Sequence, residues 1–182
     1  MRSRIHKLRT LLKAKNLQGV FLSHQPNIRY LTHFPAQESW LLVTLKRVYY
    51  ITDFRYILEA KAGLKGIPIK QFDQSPYKTL AQCVKEDSLK RLGFEDQYTS
   101  VAQFQLLKKM LAKACVLTPC SGFVESLREQ KEQDELAKIK KALTIHKESY
   151  RYLRRVLRSG LSELELLLKL ERFVKAKGCG FS

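Results

Sequence analysis

The chain has 182 residues, 34 Lys and Arg against 17 Asp and Glu for a formal charge of +17, and 45% hydrophobic with 28% charged residues. That length holds one full domain and part of a second, and the composition sustains a buried core. No apolar run is long enough to cross a bilayer, so no membrane partner is expected; Cys83, Cys115, Cys120 and Cys179 form no CxxC pair, which predicts reduced thiols in a cytoplasmic protein over disulfides or zinc.

In chain order, Ile5, Leu8, Leu11 and Leu12 recur at helical spacing within residues 2–15, giving one apolar and one basic face. With no continuous apolar stretch, this segment reads as a surface helix and not as a signal peptide. Asn16 and Gly19 close it and release GVFLS, a short buried strand. QPNIRYLTHF opens on a Pro-Asn turn signal and predicts a loop with a short helix. WLLVTLKRVYYIT predicts a hairpin, two apolar, β-branched and aromatic runs about a turn at residues 45–47. Asp53 is placed to N-cap FRYILEAKAG, which Gly63 would end. IPIKQF is strand-like, SPYKTLAQCVKE is a helix with Pro76 near its first turn, and RLGFE is a strand. Ser100 caps VAQFQLLKKMLAKA, and CVLTP follows as another strand. Strands and helices taking turns in this way predict an α/β layer architecture.

Beyond residue 129 the strands stop. Leu136, Ile139, Leu143, His146, Tyr150, Leu153 and Leu157 repeat at intervals of three and four, predicting one long amphipathic helix that Gly160 ends. Ser162 and Glu165 form a capping box for a further helix through Lys177. The charged stretch 129–133 lacks apolar periodicity and marks the expected boundary, with domains at 1–130 and 131–182.

The chemistry-bearing residues form no catalytic pattern. GxSxG, P-loop, HExxH and dinucleotide-turn motifs are all missing from the sequence. His6 is expected on a solvated helix face, and His146, on the apolar stripe, in a core or interface. His33 shares a loop with Phe34 and Trp40, residues suited to lining a pocket. Glu95-Asp96 and Asp134-Glu135 are adjacent, which neither turns both carboxylates inward nor raises a pKa. No base, nucleophile and orienting group can be assembled by spacing. The cations are spread along the chain without an Arg-rich tail or RNP-type motif, so the charge alone predicts solvated basic faces over a specific nucleic-acid site.

The order of segments resembles the N-terminal domain of the creatinase, prolidase and aminopeptidase P family of pita-bread metallopeptidases. RIHKLRTLLKAKNLQGVFLSHQPNIRYLTHF is similar to that family's opening helix, first strand and N-I-x-Y-L-T-G-F segment, and WLLVTLKRVYYITDFRY to its hairpin ending in T-D-x-R-Y. RLGFED matches an L-G-F-E strand, LREQKEQDELAKIKKA resembles the linker into the catalytic domain, and RSGLSELEL stands where the family has P-G-x-[ST]-E-x-E. The resemblance spans residues 4 to 182 in register. Departures are His33 for the usual glycine of T-G-F, Ala36 and Ser39 where glycines are common, and Glu132 where a serine follows the linker lysine.

The resemblance implies a three-layer, mixed-sheet α/β domain with an RNase H-like motif, followed by two helices from the start of a pita-bread domain. It implies a proline-specific metallopeptidase, an Xaa-Pro aminopeptidase or Xaa-Pro dipeptidase, using two divalent metal ions, often Mn²⁺, to activate a bridging hydroxide. The family's metal ligands lie beyond the segment aligning with GCGFS, so this chain is expected to hold no metal and to be inactive alone. Its implied work is dimerisation as a homodimer and gating of a proline-containing peptide, with His33, Phe34, Glu38, Trp40, Arg55 and Tyr56 the expected gating residues. The alternative is a non-catalytic interaction module of the same fold for an acidic or nucleic-acid partner.

Overall fold

The structure, a computed structural model, describes residues 2–35, 37–111 and 114–180. Ala36, the 112–113 end of the fifth predicted helix and the closing Phe181 and Ser182 lie outside the described residues. The chain divides into two compact units, 1–130 and 131–182. The first contains α1 (Arg2–Ala14), β1 (Gly19–Leu22), α2 (Gln25–Thr32), β2 (Ser39–Thr44), β3 (Val48–Thr52), α3 (Ile57–Gly63), β4 (Ile69–Gln71), α4 (Pro76–Glu86), β5 (Arg91–Phe94), α5 (Val101–Leu111), β6 (Val116–Pro119) and α6 (Phe123–Glu129). The second contains α7 (Gln133–Val156) and α8 (Glu163–Ala176).

Period-two alternation along the strands divides the first unit's core into two layers. Val20, Leu22, Leu41, Val43 and Tyr50 face one side and pack with Leu8 and Leu12 of α1, Ile28 and Leu31 of α2, Ala60 of α3 and Val124 of α6. Phe21, Leu42, Tyr49 and Ile51 face the other side, against Leu80, Cys83 and Val84 of α4 and Leu107 and Leu111 of α5. Each fully buried leucine of this kind contributes about 1.5–3 kcal/mol of transfer free energy. The result is the three-layer α/β arrangement that the sequence predicts.

The strands pair in the order β4-β3-β2-β1-β5-β6. β2 runs antiparallel to both β1 and β3, whereas β1 with β5, β3 with β4 and β5 with β6 are parallel. The carboxyl ends of β1, β3, β4, β5 and β6 therefore open on one edge of the sheet, together with the start of β2. In open α/β sheets such an edge is where ligands gather.

Helix ends explain several local sequence choices. α1 closes in a Schellman pattern, with Leu17 N–H donating to Leu12 O at 2.8 Å, Asn16 N–H to Lys13 O at 3.0 Å, and Asn16 left-handed at φ 54°. Ser100 and Gln103 bond reciprocally at the start of α5, and Ser162 and Glu165 form the predicted capping box of α8. Glu132, the departure from serine, itself caps α7 in a box with Glu135.

Three expectations are corrected. QPNIRYLT is helical throughout, with Pro26 tolerated in its first turn. Asp53 does not cap α3, whose N-cap is Tyr56; its carboxylate turns back on Arg55. α7 ends at Val156, ahead of Gly160, which takes φ 88° in the connection.

The second unit is a helical hairpin in which Tyr152 stacks on Phe173 with ring centroids 4.5 Å apart, and Lys177 Nζ reaches Glu148 Oε2 at 2.9 Å. Leu136, Ile139, Leu143, Tyr150 and Leu157 of the apolar stripe are exposed, and so is His146, which is therefore not in a core. Cys83, Cys115 and Cys120 are buried, their thiols pushed up by desolvation, Cys83 and Cys120 to about 11, while Cys179 is half-buried. No helix among the described residues is long and apolar enough to cross a membrane.

Candidate functional site

The pairing of Ser39 with Thr52 brings the segment before β2 and the turn after β3 to the same edge of the sheet. There Asp53 holds Arg55: its Oδ1 accepts the Arg55 N–H at 2.9 Å, and its Oδ2 accepts Nε at 2.9 Å and Nη2 at 2.6 Å. The guanidinium keeps the Asp53 carboxyl below its ordinary range, with the backbone N–H bond helping. Arg55 also sits 5.3 Å from the Tyr56 ring, and the field of Glu38 adds to that of Asp53 in holding its charge. Flanking residues Phe54 and Leu58 are 68% and 77% exposed. This edge thus presents a fixed cation, a nearby carboxylate and two bare hydrophobic side chains.

The six residues singled out from the sequence do not converge. Arg55, Tyr56 and Glu38 gather at the edge. His33 is exposed at the C-cap of α2, left-handed at φ 57°, its N–H donating to Arg29 O at 2.8 Å. Phe34 is buried edge-on against Tyr50, centroids 5.9 Å apart, and a Cβ on Gly63 would collide with its ring. Trp40 points through the opposite face of the sheet, in T-shaped contact with both Phe21 and Tyr77 at 4.8 Å. Phe54 and Leu58 carry no pattern in the sequence; their signal is being apolar beside T-D-x-R-Y at the mouth of a helix.

A second polar cluster occupies the same sheet edge. Glu95, at the end of β5 and only 5% exposed, accepts Ser23 N–H at 2.7 Å and His24 N–H at 2.9 Å on Oε2, and Asn27 Nδ2 at 2.7 Å on Oε1. Asn27 Nδ2 also donates to Glu125 Oε1 at 2.6 Å, and Asn27 Oδ1 accepts Arg128 Nη1 at 2.8 Å. Burial raises the Glu95 pKa against the pull of these donors, and burial lowers that of His24, which stacks on Tyr98 at 3.6 Å. The neighbouring Asp96 turns outward to the Ser121 hydroxyl. Every donor that Glu95 receives is spent on joining β1, α2 and β5, so this cluster binds the domain together.

Among the described residues no group of three or more His, Cys, Asp and Glu side chains could hold a metal ion. The described residues do not supply the two-metal centre that the resemblance implies.

The creatinase/prolidase N-terminal domain family matches residues 4–130. Over 179 residues the chain is 28% identical to the uncharacterized peptidase YqhT of Bacillus subtilis, covering 98% of this chain and 50% of that protein. The Xaa-Pro dipeptidase structure from Bacillus anthracis superposes with a TM-score of 0.88 at 28% identity, covering 97% of this chain and 49% of that one. An Xaa-Pro aminopeptidase structure from Streptococcus pyogenes, 35% identical, aligns with a TM-score of 0.64 over 69% of this chain and 95% of its own. The chain spans about half the length of the curated relatives it matches. It belongs to the creatinase/prolidase N-terminal domain family.

Proposed function

We propose that this chain is the N-terminal part of an Xaa-Pro peptidase, in which it forms the homodimer and gates entry of proline-containing peptides, while two divalent metals, Mn²⁺ among the candidates, sit in the other half. The observation that supports this most directly is coverage: nearly all of this chain aligns with half of a peptidase. Arg55, with Glu38, Phe54 and Leu58 around it, is the gating group we favour, because a fixed guanidinium beside bare apolar side chains suits a peptide carboxylate and a proline ring. Trp40 and Phe34 pack in the two core layers on either side of the sheet, away from Arg55.

The purified chain, incubated with Mn²⁺ and an Xaa-Pro dipeptide, is expected to give no turnover; metal-dependent hydrolysis by the chain alone would sink the proposal. Sedimentation equilibrium tests the dimer independently, and a monomer at micromolar concentration would remove that part.

A further inference from the structure

α7 divides around its axis into three sectors. Tyr152 faces α8, and Leu136, Ile139, Leu143 and Tyr150 form the exposed apolar stripe. At about 100° per residue, Lys140, Lys147, Arg151, Arg154 and Arg155 fall within one sector roughly 100° wide and about 22 Å long. All five are exposed. No Asp or Glu falls in that sector; Glu148, at its margin, is engaged by Lys177 at 2.9 Å. Asp134, elsewhere on the helix, lies 4.0 Å from Lys138. Among the described residues none of the five cations has a carboxylate within ion-pair distance.

Five like charges in line repel one another, and nothing inside the unit relieves them. Three are arginines, whose planar donors match phosphate oxygens in pairs. We propose that this stripe binds the phosphodiester backbone of a nucleic acid, without base specificity. The proposal rests on the peptidase reading in one respect: it needs the remainder of that protein to cover the apolar stripe, whose edge residue Leu136 lies at the same helical angle as Arg154, and to leave the cationic sector open. An anionic membrane surface would instead use leucines and arginines together.

The test is fluorescence anisotropy of the full 182-residue chain with a random 20-base-pair DNA duplex and the same duplex as RNA, between 50 and 200 mM NaCl. Five phosphate contacts predict a log–log salt slope of about −4.5, a loss of affinity of about 500-fold across that range. The triple variant Arg151→Gln, Arg154→Gln, Arg155→Gln should lower this to a slope of about −2, roughly 10-fold. Lysine at the same three positions should retain the steep slope, which keeps the test valid if the glutamine variant misfolds. DNA and RNA should behave alike, because the backbone carries the contact.

No binding at 50 mM, an unchanged slope in the glutamine variant, or an equal fall on replacing Lys108 and Lys109 with Gln would each overturn the proposal. So would capture by phosphatidylserine vesicles without duplex binding. The readout is independent of peptidase turnover, so either proposal can fail while the other stands.

Discussion

A non-glycine side chain in the left-handed region costs roughly 1 kcal/mol, and His33 carries that strain at φ 57° to end α2. A glycine at this position would adopt the same turn freely, so His33→Gly is a conformational change before it is a chemical one. Glu95 is the more consequential single residue. It holds backbone N–H groups of residues 23 and 24, some 70 positions away in sequence, and Asn27 from the next helix. Replacing it with Gln puts an amide donor among donors, and we expect a loss of about 1–3 kcal/mol in urea unfolding at neutral pH. Burial raises the folded pKa of Glu95, so the folded chain keeps this proton more tightly than the unfolded one. The stabilisation tied to that proton is present below the ordinary glutamate range and is lost as pH rises through the raised folded value. The stability gap between the wild type and Glu95→Gln should therefore be wider at pH 4.5 than at pH 7.5; a gap that widens with pH would contradict this.

At the scale of elements, the β2–β3 hairpin is tied to the end of α4 by one acid. Asp87 accepts the Tyr49 hydroxyl at 2.8 Å and the Thr44 hydroxyl, with Arg47 at 3.5 Å. Burial, assisted by Asp87, pushes Tyr49 up to about 12. Asp87→Ala removes the carboxylate that both hydroxyls donate to, leaving Thr44 the Arg47 carbonyl and Tyr49 only the Arg47 guanidinium as donor, and urea unfolding should register a loss of about 1–3 kcal/mol, with Tyr49 ionising at lower pH in ultraviolet titration. Elements such as this hairpin, the α1 ending at Asn16 and the Ser162–Glu165 box were legible in the sequence because their partners lie within a few residues. Asp53 departs from the capping expectation for a related reason: a capping residue and an Arg-clamping residue share one local pattern and differ only in the chain's path past residue 53. The sheet order and the partners of Glu95 depend on contacts dozens of residues apart, which no local pattern encodes. The candidate edge is only half visible in the sequence, because the Ser39–Thr52 pairing brings the segments of Glu38 and Arg55 to one edge, while Trp40 in β2 and Phe34 ahead of it enter different core layers.

For the whole molecule, the apolar stripe of α7 matters most. Five large side chains stand exposed along it, more than an isolated soluble surface normally shows together. The chain by itself should self-associate through this stripe, and Leu143→Ser with Tyr150→Ser should shift sedimentation toward smaller species while leaving helical circular dichroism unchanged. Persistence of the larger species in that variant would place the association elsewhere, for example on the Phe54–Leu58 edge.

The distribution of the four thiols gives the molecule a practical property. Cys83, Cys115 and Cys120 are shielded and poorly ionised, whereas Cys179 lies just past the end of α8 and is partly open to solvent. A maleimide dye at neutral pH should couple rapidly to one thiol per native chain and to four in guanidinium. The unmodified sequence thus contains its own attachment point for a fluorophore, from which distances to the helical hairpin can be measured without engineering any cysteine.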